Sequence, residues 1–290
     1  MASLLDLPPE ILWHIISSFN HNDLSIVRLS CKKLRHFCDH PSHWRTLSLK
    51  PSPTTTSNKG GENSMDLWQL HELERLIGPH VAHIQTIQIW GVRDHIVRYL
   101  LTHCTQLLDL TVCGWTTLSN HAFNPKKMMR LRRLELIGAV QQPNYAGVDA
   151  RVLCQLLRQC PDLQSLALGC QIHIHARTLL KELKKASTSS SSPPPAQKLT
   201  SLTLATRRTW SQRHVAELME RCPALERVYL LPAAAKGFDL KKDHQEQWSM
   251  TEKRQVAVEP SSDSEDDHDA DLAMDMVVLR SSLQTSPRVA

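Results

Sequence analysis

One six-residue frame, apolar-x-x-apolar-x-apolar, recurs six times along the 290 residues and limits the possible folds more than any other feature. It reads Ile84, Ile87, Ile89; then Leu107, Leu110, Val112; then Leu131, Leu134, Leu136. It returns as Leu163, Leu166, Leu168; as Leu199, Leu202, Leu204; and as Leu225, Val228, Leu230. The last two apolar positions alternate, which is the pattern of a short strand with one buried face. Successive frames start 23, 24, 32, 36 and 26 residues apart. The longest gap holds a low-complexity insert at 187–196 whose Ser and Pro run accounts for the excess. A unit this short cannot bury its apolar edge alone, so neighbours must stack.

Helical patterns separate the frames. Ile96, Val97, Leu100 and Leu101 share one face of 94–104, Val152, Leu153, Leu156 and Leu157 one face of 149–160, and Val215, Leu218 and Met219 one face of 211–222. Cys104, Cys160 and Cys222 each fall three residues before the next frame, and Pro161 and Pro223 stop two of the helices. Stacking would spread these thiols along an axis, so they are expected to be small buried packing residues and not metal ligands. Strand, turn, helix and return at this spacing resembles the leucine-rich repeat of the cysteine-containing kind, over residues 66–231. The asparagine usual after the strand is missing, and Cys113 and Cys170 stand near its place. The resemblance implies an α/β fold, a short solenoid with parallel strands on its concave face and helices on its convex face.

Residues 3–49 are different. Asp6 precedes two prolines, which suit a first helical turn, and Ile11, Leu12, Ile15, Ile16 and Phe19 form an apolar stripe. Asn22 and Ser30 are expected to cap a second and a third short helix. Trp44, Leu47 and Leu49 follow, the last two in a strand-like alternation. Three short helices bury too little surface to stand alone, and they hold more apolar residues than a small bundle can hide. That combination predicts a docking module, completed by the repeats on one side and by a partner on the other.

Leu7-Pro8 with Glu10, the Ile11/Leu12/Ile15/Ile16 stripe, Asp23-Leu24, the run Arg28 to Leu34 and a closing Trp44 resemble, in this order, the F-box. The resemblance implies binding to the Skp-type adaptor of a cullin–RING ubiquitin ligase, through Leu7, Pro8, Ile11, Leu12, Ile15, Ile16, Leu24, Leu29 and Trp44. It also implies that Trp44, Leu47 and Leu49 join the F-box to the first repeat. The chain would then be a substrate receptor of an SCF-type ligase, non-catalytic itself, that positions a protein substrate for ubiquitin-dependent degradation. An F-box and repeat scaffold acting outside degradation is the rival reading.

Composition closes off other classes. Glycine numbers nine, and no glycine-rich phosphate loop, nucleophile elbow or paired-histidine metal motif occurs. His173 and His175 lie two apart without a third ligand, so no metal and no cofactor is expected. No apolar run reaches the ~18–20 residues of a membrane span. A secretory signal is not expected from Met1 to Asp6, and on that reading the eight scattered cysteines are expected as reduced thiols in the cytoplasm or nucleus. The formal charge is +5, but residues 255–290 hold eight acidic and two basic side chains, leaving 32 basic against 21 acidic elsewhere. A basic body favours acidic partners. Its basic residues are dispersed without a nucleic-acid-reading motif, so a nucleic-acid partner ranks below a protein one.

Residues 50–65 read as a linker and 232–290 as a largely disordered tail, acidic over Glu259 to Asp275. Ser262 and Ser264 precede acids there, and 272–283 is apolar enough for a short partner-binding helix. Positions between the frame residues should line the concave face, where the middle reads as small and smooth, offering room more than affinity. Substrate anchors are expected at the turns after the strands: Trp90, Arg93, Trp115, Arg207, Arg208 and Trp210, with Tyr229 on the last strand. The Arg207-Arg208 pair points to an acidic or phosphorylated segment in the substrate.

Overall fold

The structure, a computed structural model, describes residues 4–51, 67–115, 117–123, 129–138, 145–172, 174–188, 196–206, 210–232 and 276–279. Four short helices open it: α1 (Pro9–Ser17), α2 (His21–Val27), α3 (Lys32–Cys38) and α4 (Pro41–Trp44). Proline occupies the first turn of α1 and of α4, where its missing N–H leaves no helical bond unmade. The caps differ from expectation. The Asn20 side chain accepts from the Asp23 amide to start α2, and the Cys31 thiol accepts from the Leu34 amide to start α3. Asn20 and Cys31 have the extended backbone a cap requires, whereas Asn22 already lies inside α2.

Strand and helix then alternate. β1 (Thr46–Leu49) and α5 (Leu70–Ile77) precede β2 (Thr86–Trp90), α6 (Asp94–His103), β3 (Asp109–Cys113), the two-residue β4 (Thr117–Leu118), β5 (Arg133–Ile137) and β6 (Tyr145–Ala146). They are followed by α7 (Ala150–Gln159), β7 (Ser165–Ile172), α8 (Ala176–Thr188), β8 (Ser201–Thr206), α9 (Gln212–Arg221) and β9 (Arg227–Pro232). The main sheet runs β1-β2-β3-β5-β7-β8-β9, and every pairing along it is parallel. All six frames supply strands, and Trp44-x-x-Leu47-x-Leu49 adds a seventh copy at the N-terminal end.

The register holds along the apolar rows and shifts between Leu168 and Ile172, where β7 meets β8. Leu47, Ile87, Leu110, Leu134, Leu166, Leu202 and Val228 form one row across the sheet. Leu49, Ile89, Val112, Leu136, Leu168, Leu204 and Leu230 form a second, and both rows are buried. Just before each strand, one backbone carbonyl accepts from two successive amides of the next unit. Arg45 O takes Gln85 and Thr86, Gln85 O takes Leu108 and Asp109, and Leu108 O takes Arg132 and Arg133. Arg132 O, Gln164 O and Thr200 O continue the series to Arg227, all at 2.7–3.1 Å.

The recurrent cysteines end the helices. Cys104, Cys160 and Cys222 follow α6, α7 and α9, and each donates its amide to the leucine four residues earlier at 3.0 Å. Their carbonyls accept from Leu107, Leu163 and Leu225. Burial pushes the thiols up, to about 12 for Cys104 and Cys160 and about 11 for Cys222, so they remain protonated packing groups. Among the described residues between β3 and β5, a 3-10 turn at Asn120–Phe123 stands where other units have a helix, with Ala122 and Phe123 buried.

One expectation about the tail is corrected. Met276–Leu279 forms β10, antiparallel to β9, with Met276 opposite Leu230 and Leu279 opposite Arg227. The segment expected as a helix within a disordered tail thus contains a strand, because a β-branched Val-Val pair suits the open edge of β9 better than an isolated helical turn. The remaining tail, nearly all of the 50–65 linker and most of the 187–196 insert lie outside the described residues.

Gly147 shows how tightly the β4–β6 corner is closed. A Cβ there would meet the Asn120 amide nitrogen at 2.9 Å and the Ser119 backbone at 3.3 Å. Gly147→Ala should lower unfolding stability by about 1–3 kcal/mol, read from denaturant midpoints.

Candidate functional site

Two surfaces emerge, one on the N-terminal helices and one on the sheet. In the helices, alternate faces are used differently. Leu12, Ile16, Leu24, Leu34, Cys38 and Trp44 turn inward and are buried. Ile11 is 50% exposed, Ile26 64% and Leu29 67%, with Leu4 close behind. These are four of the five large apolar side chains exposed among the described residues. Ile11 and Ile15 lie one helical turn apart on α1, as do Ile26 and Leu29 across the end of α2. Lys33 on α3 donates to the Leu5 carbonyl and ties the leading 3-10 turn, Leu4–Asp6, to the bundle.

Leu12, Ile16, Leu24 and Trp44 were expected to touch a partner, and the structure corrects this. They fill the core and hold the outer residues in place. Pro8, Ile11 and Leu29 are exposed, and Leu7 and Ile15 half-buried. Ile26 and Leu4 were missed, because Ile26 has the same hydrophobic signature as its buried neighbour Leu24.

The same helices are locked to the sheet. The Trp44 indole N–H donates to Cys38 O at 2.7 Å, and its ring stacks on His80 at 3.7 Å between centroids. Arg28 grips Asp39 with two nitrogens, at 2.7 and 3.0 Å, and His80 Nε2 stands 3.7 Å from the same carboxylate. Burial pushes the His80 imidazole down to about 4; Asp39 opposes this shift, and Arg28 and His83 add to it. Burial also lowers His21 and His43, which share the corner: His21 Nε2 is 3.2 Å from His43 O.

Residues 4–50 match the family model described as F-box-like, so the N-terminal unit is an F-box-like domain. F-box domains typically bind Skp-type adaptors. A search of curated proteins found no match to the chain.

The second surface is the open face of the sheet. Thr86, Asp109, Arg133, Ser165, Ser201 and Arg227 are register partners there, as are Gln88, Thr111, Glu135, Ala167, Thr203 and Tyr229. Thr86 and Thr111 donate to Asp109 and Glu135 at 3.4 and 3.1 Å. The middle is not smooth. A shallow basin of about 570 Å³ spans β3 to β9, lined by Arg132, Arg133, Glu135, Arg227 and Tyr229 among others. Arg133 and Glu135 were legible as open-face residues, as was the room that small neighbours such as Ser165 and Ala167 offer; what the sequence hid is that Arg132 also lines it.

The expected anchors separate. Trp115 is fully buried, its indole N–H bonded to Val112 O at 3.3 Å, and Trp210 is buried too. Both are packing residues, because a rim position after a strand can fold back under the next unit. Trp90 is half-buried, packs against Cys113, Ile137 and Ala167, and carries Lys50 Nζ 4.9 Å above its ring. Arg93 is exposed just ahead of α6, and Tyr229 is half-buried in the basin. Arg207 and Arg208 lie outside the described residues.

His80 gives the joint a pH signature. Its folded value lies below the ~6.5 of an unfolded histidine, so the unfolded chain binds more protons between about pH 6.5 and pH 4. Stability should be full above that window and fall as pH drops through it, by on the order of 3 kcal/mol. His80→Phe, which keeps a ring on Trp44, should flatten this part of the slope in urea titrations run at several pH values.

Proposed function

We propose that this chain is the substrate-recognition subunit of an SCF-type cullin–RING ubiquitin ligase, non-catalytic itself. The F-box-like domain binds the Skp-type adaptor, and through it the cullin scaffold. The sheet and its helices act as a leucine-rich-repeat solenoid whose concave face captures a protein substrate for proteasomal degradation. The observation that carries the reading is the family match at 4–50 on a bundle that leaves Ile11, Ile26 and Leu29 exposed. Apolar groups left in water on an otherwise filled bundle favour a protein partner. The parallel ladder at strand–helix spacing, with cysteines at the helix ends, supports the repeat assignment. The setting is the cytoplasm or nucleus, where buried thiols stay reduced.

On the substrate side, Arg132 and Arg133 favour an acidic or phosphorylated segment, since guanidinium groups pair with carboxylates and phosphates in forked geometry. Trp90 and Tyr229 offer apolar area beside them.

Two variants test this separately. Ile11→Asp with Leu29→Asp alters only exposed positions and should leave the fold intact while reducing adaptor recovery in a pull-down at least tenfold. Undiminished recovery from a folded double variant would sink the adaptor assignment. Arg132→Glu with Arg133→Glu should keep the adaptor yet lose the proteins that accumulate on the chain when the proteasome is blocked. Equal recovery of those proteins would move the substrate site elsewhere.

A further inference from the structure

Helices α8 and α9 pack side by side, and a groove of about 650 Å³ runs between them. Arg177, Lys181 and Lys184 line it from α8, Arg213 and Arg221 from α9. The groove's carboxylate, Glu217, is held by Arg221 at 2.6 Å. Arg177, Lys181, Lys184 and Arg213 make no ion pair among the described residues, although Arg221, joined by Arg213, holds the Glu217 carboxyl below its ordinary value.

These cations stand against local preference. Arg177, Lys181 and Lys184 follow one another at helical spacing on one face, where like charges repel. Arg177 and Arg213 are each second in their helix, where the macrodipole disfavours a cation, and neither first turn holds an acid. An anionic occupant would relieve both strains.

The chain supplies one. Glu259 to Asp275 contains eight acidic residues and no lysine or arginine. Its tethers are fixed in the sheet. The chain leaves β9 at Pro232 and returns at Met276, opposite Leu230, so both ends of the excursion lie at the same end of β9. Thr206 pairs with Pro232, and Ser211, the cap of α9, follows Thr206 by five residues. Five residues reach at most ~18 Å, so the groove opens within roughly 25 Å of that corner. The residues between Pro232 and Glu259 span up to ~90 Å, and Asp275 sits next to β10 itself.

We propose that the groove between α8 and α9 is a docking site for an acidic segment and that its occupant is the chain's own residues 259–275. A tethered ligand at such short range sees an effective concentration in the millimolar range, enough for a weak electrostatic contact to form. Ser262 and Ser264 lie inside the segment, and phosphorylation of either would add charge to it. The proposal is independent of the ubiquitin-ligase reading.

The test uses full-length protein and a fluorescent peptide of residues 259–275 read by anisotropy. A tail-neutral variant carries Asp263→Asn, Glu265→Gln, Asp266→Asn, Asp267→Asn and Asp269→Asn. The peptide should bind this variant at least tenfold tighter than the unaltered chain, and salt should weaken it. Adding Arg177→Glu and Arg213→Glu, exposed positions where a carboxylate suits the helix start, should abolish that binding with the fold intact by circular dichroism. Carbodiimide should cross-link Lys181 or Lys184 to acids of 259–275 in the unaltered chain. Equal peptide binding with and without the native tail would overturn the proposal and assign the groove to another chain's acidic segment. Binding that survives Arg177→Glu with Arg213→Glu would overturn it in favour of another basic surface such as the Arg132-Arg133 basin.

Discussion

A backbone carbonyl shared by two successive amides passes the register from each strand to the next. Six such carbonyls, from Arg45 to Thr200, stand at equivalent positions. Because side chains on a strand alternate faces, a one-residue slip at any of them would turn the apolar rows to water and the polar rows inward. In three of the frames the helix-ending cysteines protect the same point from the other side: their carbonyls bind Leu107, Leu163 and Leu225, which open those frames, and this fixes how the chain leaves the helix. The first shared carbonyl belongs to Arg45, one residue beyond α4. The sheet therefore starts inside the F-box-like unit, and that unit is the cap a stacked array needs at its N-terminal end.

The cap must satisfy two demands with few residues. Its inward side has to match the width of the ladder, and Trp44 does so in the position where later frames carry Ile or Leu. A ring this large leaves its N–H to satisfy, and Cys38 O takes it. His80 covers the face of the indole while remaining neutral, so the Arg28–Asp39 pair nearby needs no further counter-charge. A paired charge at a partly buried joint favours one arrangement over its alternatives, and losing either partner would strand the other. The outward side keeps Ile11, Ile26 and Leu29 in water, a cost that only association removes.

The ladder was legible in the sequence because its period is enforced by burial: Leu110, Leu134 and Leu166 have no alternative to the core. Trp44 was harder to count as a frame member, since a four-residue helix precedes it and 40 residues separate it from Ile84. Caps depend on backbone angles at single residues, so Asn20 and Cys31 could not be told from Asn22 and Ser30 by residue type. Exposure on a two-sided helix is set by its neighbours, which explains why Leu24 and Ile26 look alike in sequence and differ in place. Tryptophan after a strand is ambiguous for the same reason: Trp90 reaches the open face while Trp115 tucks under it. The strand at Met276–Leu279 depends on the free edge of β9, some 45 residues away, which no local pattern encodes.

Strand spacing sets the distance between the two surfaces. The basin begins on β3, two strands from the cap, and ends on β9, the seventh strand of the ladder. At ~4.8 Å per strand it occupies roughly 10–30 Å from β1. Each step along that path is made by a shared carbonyl, parallel pairing and two buried side chains, with one register shift where β7 meets β8 beyond Leu168. A protein held in the basin would thus keep a fixed position relative to whatever holds Ile11 and Leu29. Fixed geometry between two bound partners raises the effective concentration of one near the other without any new contact, provided that the span matches. The 36 residues between the frames at Leu163 and Leu199 leave this distance unchanged, since β7 and β8 still pair directly. The number of frames governs reach, whereas the side chains between the frames govern what is held.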